Sequence, residues 1–369
     1  MDFTFSDDQK QLRDAIRRYL SQEYSFEQRK KVLQSESGVS PVVWSGLAEL
    51  GLMSVPVPEA AGGFGGNGVD LMLVMEELGR ALVVEPYFAT AVMGVAFLKL
   101  ASEEAHQSLL SKIVSGEAKL GVALGEPQSR YELFNVTTSL KEGKLNGSKT
   151  VVLHGAEADK LIVSARVSGG TRDHAGLAVA LVDAKAAGVA IKSYRTIDGM
   201  RAADITFTNT PVEAVLGTAG EGFALIEHAA DIGITALCGE AVGVMAVANE
   251  QTLEYLRTRQ QFGKVIGSFQ ALQHRATEMF MQLEQAKSLT YLASVKIHST
   301  DRTERRRAVS AAKVRVGRAI KVVGQEAIQM HGGMGMTWEM PISHYFKRMT
   351  MIDQTLGDVD HHLALFAAL

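Results

Sequence analysis

The residues of this 369-residue chain best suited to chemistry fall in two short segments. The first is Tyr255-Leu-Arg-Thr-Arg259-Gln-Gln-Phe262-Gly263-Lys264-Val265-Ile266-Gly267-Ser268-Phe269-Gln270-Ala-Leu-Gln273. It reads as the end of one helix, a turn through Phe262-Gly263, and the start of another helix with Ser268 as its cap. A guanidinium beside such a helix end suits a phosphate, because it grips two oxygens at once and does not lose its charge. Phe262 offers a face to a planar ring. Taken alone, the plainer reading would win: an inter-helix turn with a solvated arginine. The second segment is Gln329-Met330-His331-Gly332-Gly333-Met334-Gly335-Met336, at the end of a long helical pattern. Its glycines let a backbone approach a ligand with no side chain between. It is not a P-loop, since Lys-Ser/Thr is absent and the glycines follow a helix instead of preceding one. By itself it reads as a helix C-cap and tight turn.

Other reactive residue types read as structural. Cys238, the single cysteine, sits among small apolar residues and reads as a buried helix-packing thiol. His361-His362 resembles a metal pair, but adjacent helical side chains diverge, so no metal site is expected. Arg302-Thr-Glu-Arg305-Arg306-Arg307 reads as a solvated face, and the methionines from Met330 to Met340 as core filler. A net charge of -3 argues against nucleic acid or an anionic membrane as the main partner. The N-terminal Met1-Asp2-Phe3 opens no signal peptide, and no long uncharged run suggests a membrane span. With one cysteine, a reducing, cytoplasmic setting is expected.

The elements that must position these segments follow from periodicity. Residues 1–116 read as an N-terminal helical domain, with Ser6 capping a helix from Asp7 to Leu20 and Pro41 opening another that ends at Gly51. Residues 117–217 change texture to short β-rich runs, separated by turn signals at Asn146-Gly147, Gly169-Gly170 and Asp198-Gly199. Close spacing of short strands predicts an antiparallel β-barrel. Residues 218–369 return to long helical patterns, near 222–259, 268–298 and 302–330, with a shorter one from 358, which predicts a C-terminal four-helix bundle. The fold class is α+β, in three domains.

In order and spacing, several segments together resemble the acyl-CoA dehydrogenase family over essentially the whole chain. They are Phe5-Ser-Asp-Asp-Gln9 with Leu12 and Arg17, Leu47-Ala-Glu-Leu-Gly51, Pro58-Glu59-Ala-Ala-Gly62-Gly63-Phe-Gly65, Ala203-Asp204-Ile-Thr-Phe207, Gly220-Glu-Gly222-Phe223, and the two segments above. The resemblance implies FAD as cofactor, an acyl-CoA thioester as substrate, α,β-desaturation as the reaction and an electron-transfer flavoprotein as acceptor. It also implies that the Arg259 and Gln329 segments reach the FAD of a neighbouring subunit. Arg259 would pair with pyrophosphate, while Phe262, Gln270, Gln329, Gly332 and Gly333 would line the adenine and ribose side.

The departures from the family are concentrated. The reaction needs a carboxylate base. The family position before the last helix holds Leu356, followed by Gly357, and the alternative position on the first bundle helix holds Gly233, beside Ile234. Asp231 and Asp353 are weak substitutes, since Asp231 is about 200° around the helix from Gly233. Of the family's flavin-side loop, Gly125-Glu126-Pro127-Gln128-Ser129-Arg130-Tyr131 keeps only Glu-Pro. Val151 and Leu153 replace an aromatic and a hydroxyl residue on the following strand, and Asp358 stands where a hydroxyl residue is common. Gln128-Ser-Arg-Tyr131, Val151-Val-Leu-His-Gly155 and Gly357-Asp-x-Asp-His-His362 resemble the small subunits of pimeloyl-CoA dehydrogenases. The pattern suggests a subunit that completes a sister chain's site. A competent homo-oligomer with a displaced base, a flavin monooxygenase or oxidase, and a flavin-free relative stay open.

Overall fold

The computed structural model describes residues 5–102 and 106–369; Met1-Asp2-Phe3 lies outside the described residues. It divides into two compact units. One comprises Met1–Lys30, Asn67–Val83 and Ile234–Leu369, the other Lys31–Gly66 and Val84–Gly233.

The first unit is helical. Helix α1 (Asp7–Glu23) begins on a capping box in which Ser6 and Gln9 satisfy each other's backbone amides. Helix α2 (Phe26–Gln34) starts in this unit, and α3 (Pro41–Glu49) belongs to the other. Helix α4 (Gly68–Ala81) is capped by Asn67 and is buried along nearly its whole length. It lies in the same unit as the C-terminal part of α7 (Gly222–Thr258) and α8 (Gln270–Lys296). The backbones come unusually close. A Cβ on Gly79 would lie 2.3 Å from the Glu240 carbonyl oxygen, and one on Gly243 would lie 1.9 Å from that of Glu76. Helix α9 (Arg302–His331), capped by Asp301, packs on α8 and carries α10 (Pro341–Gln354) and α11 (Val359–Ala368) on its other sides. Sequence reading did not anticipate α10, although Pro341 at its first turn is a start signal. By length and composition α7 could cross a membrane, yet 83% of its apolar window is buried in the protein, as for a core helix.

The second unit carries an eight-stranded sheet in the order β6-β7-β3-β2-β4-β5-β8, with β1 joined to β4 as the eighth strand. The strands are β1 (Leu120–Ala123), β2 (Ser139–Lys141), β3 (Lys144–Leu153), β4 (Lys160–Arg166), β5 (Leu177–Asp183), β6 (Val189–Arg195), β7 (Arg201–Pro211) and β8 (Ala214–Gly220). The expected antiparallel barrel is therefore corrected to an open sheet with two parallel contacts, β1 and β2 each against β4. The edge strand β6 buries none of its residues, and Lys192 and Arg195 lie on it, so it has no core face with which to close. Asn146-Gly147 is not a turn. It lies inside β3, where Gly147 has φ 146° and a Cβ would meet the Thr138 backbone at 2.6 Å. The actual reversal is Glu142-Gly143, with φ 48° and 72°. The core between the sheet faces is built of small and branched residues, among them Leu145, Val163, Ala178, Ala180, Ile205 and Phe207. This unit also holds a π-helical segment, Phe88–Gly94, running into α5 (Val95–Ser102), and α6 (Gln107–Val114).

The close approach at Gly243 gives a test. Gly243→Ala forces a methyl group against a peptide oxygen that has no room to move, and should destabilise the chain by about 3 kcal/mol. Chemical denaturation of the wild type and the variant measures it.

Candidate functional site

One end of the helical unit gathers the sequence candidates. After α7, strands β9 (Gln260–Gln261) and β10 (Lys264–Val265) form a two-residue hairpin through Phe262-Gly263, whose φ values of 53° and 78° suit the tight primed turn. Holding a phenylalanine in the left-handed region costs about 1–2 kcal/mol. That strain presents a ring that is 89% exposed. Arg259 and Gln270 are exposed beside it. Ser268 does not cap α8: its hydroxyl donates to the Val265 carbonyl, and Phe269 is the capping residue, leaving Gln270 as the first helical position. At the end of α9, Gln329, Gly332 and Gly333 are exposed, and a Cβ on either glycine would meet nothing within 4 Å. Gly335, by contrast, is buried against the Ile328 backbone.

The two segments are joined by one stacking contact. The Tyr255 ring, one turn before Arg259, stacks on buried His331 with centroids 4.5 Å apart and planes at 27°. Burial lowers the His331 pKa, and its Nδ1–H donates to the Ala327 carbonyl at 2.8 Å. Met334 and Met336 are 46% and 73% exposed, so they do not fill a core gap as expected.

A second locus is the turn between α10 and α11. Leu356 is half-buried with φ 57°, an uncommon conformation for a leucine. The turn is held from several sides. Lys313 of α9, wholly buried, donates through Nζ to the Ile352 carbonyl and, at 2.9 Å, to that of Thr355. The His362 Nε2–H donates to the Leu356 carbonyl at 3.0 Å. Burial pushes Lys313 down to about 8. Asp358 is occupied as the cap of α11, accepting from the His361 amide at 2.9 Å. The Asp353 carboxyl is pushed up by burial, and its Oδ1 has no hydrogen-bond partner. That oxygen faces Gly317, where a Cβ would stand 2.6 Å from it. His361 and His362 are nearly perpendicular, with ring centroids 5.2 Å apart. Among the described residues no group of three or more His, Cys, Asp or Glu could hold a metal ion. Buried Cys238 has its thiol pushed up to about 12 by desolvation, far from nucleophilic character. Arg305, expected on a solvated face, is buried.

The third locus lies in the β unit, which also holds Gly233 and Asp231, both buried. Glu126 and Lys149 form a buried ion pair at 2.7 Å. Glu126 also accepts from the Thr137 and Thr138 amides at 2.8 and 3.1 Å, and Lys149 donates to Ser164 at 2.8 Å. Burial alone would raise the Glu126 pKa, but the Lys149 charge and the side-chain hydrogen bonds from Lys149, Thr137 and Gln128 outweigh it and hold it at about 2. The surviving Glu-Pro of the loop is therefore a structural anchor. Beyond it β3 bulges. Val151 has φ 54°, its amide donates to Asp204 at 3.2 Å, and its side chain is 54% exposed.

Three family models match in chain order: the acyl-CoA dehydrogenase N-terminal domain over residues 6–117, the middle domain over 121–210 and the C-terminal domain over 220–368. The chain belongs to the acyl-CoA dehydrogenase family. It is an oxidoreductase family, and the expected succession of helical, β and helical parts is the family's fold. The chain is similar to the caffeyl-CoA reductase–Etf complex subunit CarC of Acetobacterium woodii, with 28% identity covering 93% of each chain. It is similar in structure to a variant of the Tcur3481-Tcur3483 steroid ACAD, with TM-score 0.89 and 28% identity over 98% of this chain and 97% of that one. It also shares the fold of the ChsE4-ChsE5 complex from Mycobacterium tuberculosis, with TM-score 0.90 and 24% identity over 100% and 98% of the two chains.

Sequence reading missed three side chains that organise these loci. Tyr255 and His331 were quoted within the motifs without a role. Lys313 looks like one more charge on α9, although its place in Ser310-Ala-Ala-Lys313-Val314 puts it on the apolar stripe.

The ion pair in the β unit predicts a pH dependence. The folded Glu126 carboxyl lies at about 2, below its ordinary 4.5, so its contribution to stability is complete above about pH 4.5 and is lost as pH falls toward 2. Glu126→Gln should remove that acid limb and cost about 3–5 kcal/mol near neutral pH, because Lys149 is left buried without a counter-charge. Denaturation midpoints between pH 2 and 7 test both statements.

Proposed function

We propose that this chain is one subunit of a heteromeric, FAD-dependent acyl-CoA dehydrogenase, with an incomplete site of its own and contacts that complete the FAD site of a sister chain. One contrast carries the reading. Leu356 and Gly233, at the family's two base positions, accept no proton, while Arg259, Phe262, Gln270, Gln329, Gly332 and Gly333 are all exposed. The glycines leave open space where a side chain would otherwise stand, which fits a backbone approached from outside this chain.

Arg259, Phe262, Gln270, Gln329, Gly332 and Gly333 would help hold FAD, which would supply hydride-acceptor chemistry for the β-hydrogen of the acyl thioester. The chain's own contribution is positioning. Arg259 supplies a permanent positive charge for pyrophosphate, and Phe262 supplies an apolar face for adenine. Gln270 and Gln329 offer amide groups to the ribose side, and Gly332 and Gly333 let the backbone come close. The carboxylate that removes the α-proton comes from the sister chain. Electron-transfer flavoprotein is the acceptor in this reading, supported by the similarity to a subunit of an Etf complex. The segments Gln128–Tyr131, Val151–Gly155 and Gly357–His362 extend the proposal to a small subunit of the pimeloyl-CoA dehydrogenase type, acting on longer dicarboxylic acyl-CoA. A single buried thiol suits a reducing, cytoplasmic compartment. A second reading, a homo-oligomer using Asp353 as base, is favoured only by the raised pKa of that carboxyl.

Flavin absorbance near 450 nm and acyl-CoA-dependent dye reduction should appear when the chain is co-expressed with its sister chain and be absent from the chain alone. Turnover by the isolated chain, abolished in Asp353→Asn, would establish the second reading instead. In the complex, Arg259→Ala should weaken FAD retention by about tenfold or more, the loss expected for a charged hydrogen-bond donor to phosphate. Unchanged FAD occupancy would remove Arg259 from the site.

A further inference from the structure

The Gly332–Met336 turn continues α9 as a short 3-10 segment, with Gly335 buried and its other four residues exposed. It is closed at its far end by Thr337, whose amide and hydroxyl both donate to the Met334 carbonyl. Its leading side is anchored by the Tyr255–His331 stack. The trailing side needs an anchor of its own, and the residue that reaches it is His344, the fourth residue of α10 and 1% exposed.

We propose that His344 is the positioning residue for this glycine turn, holding it through the Trp338 carbonyl in a tautomer dictated by Arg29. The argument runs through donors and acceptors. The Arg29 guanidinium is buried, donates to the Leu82 carbonyl at 2.8 Å, and lies 3.1 Å from His344 Nδ1. A guanidinium has no acceptor and stays charged, so Nδ1 must offer a lone pair. The ring proton is then on Nε2, which lies 3.0 Å from the Trp338 carbonyl oxygen and donates to it. Two cations would otherwise meet in a buried site, and desolvation together with Arg29 pushes His344 down to about 4, so it is neutral at working pH. The ring is clamped by Phe26 edge-on at 4.9 Å and by Trp338 at 4.3 Å, and Lys347 Nζ lies 4.7 Å from the Trp338 ring. Buried Arg29 thus fixes, through one imidazole, the backbone just beyond the exposed turn. Its bearing on FAD rests on the proposed role of Gln329, Gly332 and Gly333.

The test uses the chain in complex with its sister subunit. His344→Met keeps the volume and removes both polar atoms, while His344→Gln keeps one acceptor and one donor. Hydrogen exchange at the amides of 332–338 should speed up about tenfold or more in His344→Met, with α8 unchanged, and return close to wild type in His344→Gln. FAD retention should fall and recover in parallel. If His344→Met fails to fold because buried Arg29 loses its imidazole acceptor, Arg29→Met combined with His344→Met removes that charge and should show the same local loosening. Wild-type exchange at 332–338 in whichever of these variants folds overturns the proposal. A loosened turn with full FAD retention supports the positioning role and overturns the cofactor role assigned to the turn.

Discussion

The helical unit depends on how closely the α4 backbone can lie against α7. At Gly79 and Gly243 there is no space for even a methyl group between one helix and a peptide oxygen of the other, and Gly239 sits 3.0 Å, at its missing Cβ, from the Met72 carbonyl. Gly239 and Gly243 are one helical turn apart, so they share a face and form a groove into which α4 settles. This contact fixes α7 over its C-terminal half. Because α7 is a continuous helix of 37 residues, fixing it also fixes where Arg259 and the Phe262 hairpin emerge. A displaced α7 would carry the whole exposed end with it.

Around that contact the protein keeps its buried charges paired. Glu240, whose carbonyl meets Gly79, holds Arg348 of α10 with two charged hydrogen bonds of 2.6 and 2.7 Å. Glu77 of α4 is nearly inaccessible and takes both Arg17 of α1 and Arg80. In the β unit the same logic pairs Glu126 with Lys149. A buried ion pair adds little net stability compared with apolar packing, but losing one partner is costly. Such pairs therefore specify which elements meet more than they strengthen the meeting. Lys313 follows a different rule. Its ammonium is satisfied by two carbonyl oxygens at the end of α10, so it ties down the turn that carries Leu356. The turn that carries Leu356 is thus held from several sides, although leucine itself has no proton chemistry.

The exposed end of the bundle shows an opposite economy. The groups there that could meet a ligand have few bonds to their own chain, while the groups behind them are fully engaged. Tyr255 and His331 stack beneath, Gly335 packs inward, and the Arg29–His344 pair secures the strand of backbone leaving the turn. Rigid support behind an uncommitted surface is what a site needs if it is to act on a ligand held largely by another chain.

The sequence alone determined the order of helical, β and helical parts, the long C-terminal helices and the family. Those features are local: periodicity, capping residues such as Ser6 and Pro41, and residue types at fixed spacing. Tertiary structure decided what depends on distant partners. It placed Asn146-Gly147 inside β3, because Asn146 pairs with Ser139 of β2 and Gly147 with Phe207 of β7. It left the sheet open, because β6 has no buried face. It took Ser268 away from the helix cap, made Glu126 an anchor, and buried Lys313, Arg305 and His344. A charged or polar side chain carries no mark in the sequence that says whether it will meet water or a carbonyl from a helix far along the chain. Only the packed structure supplies the partner, and the partner sets the role.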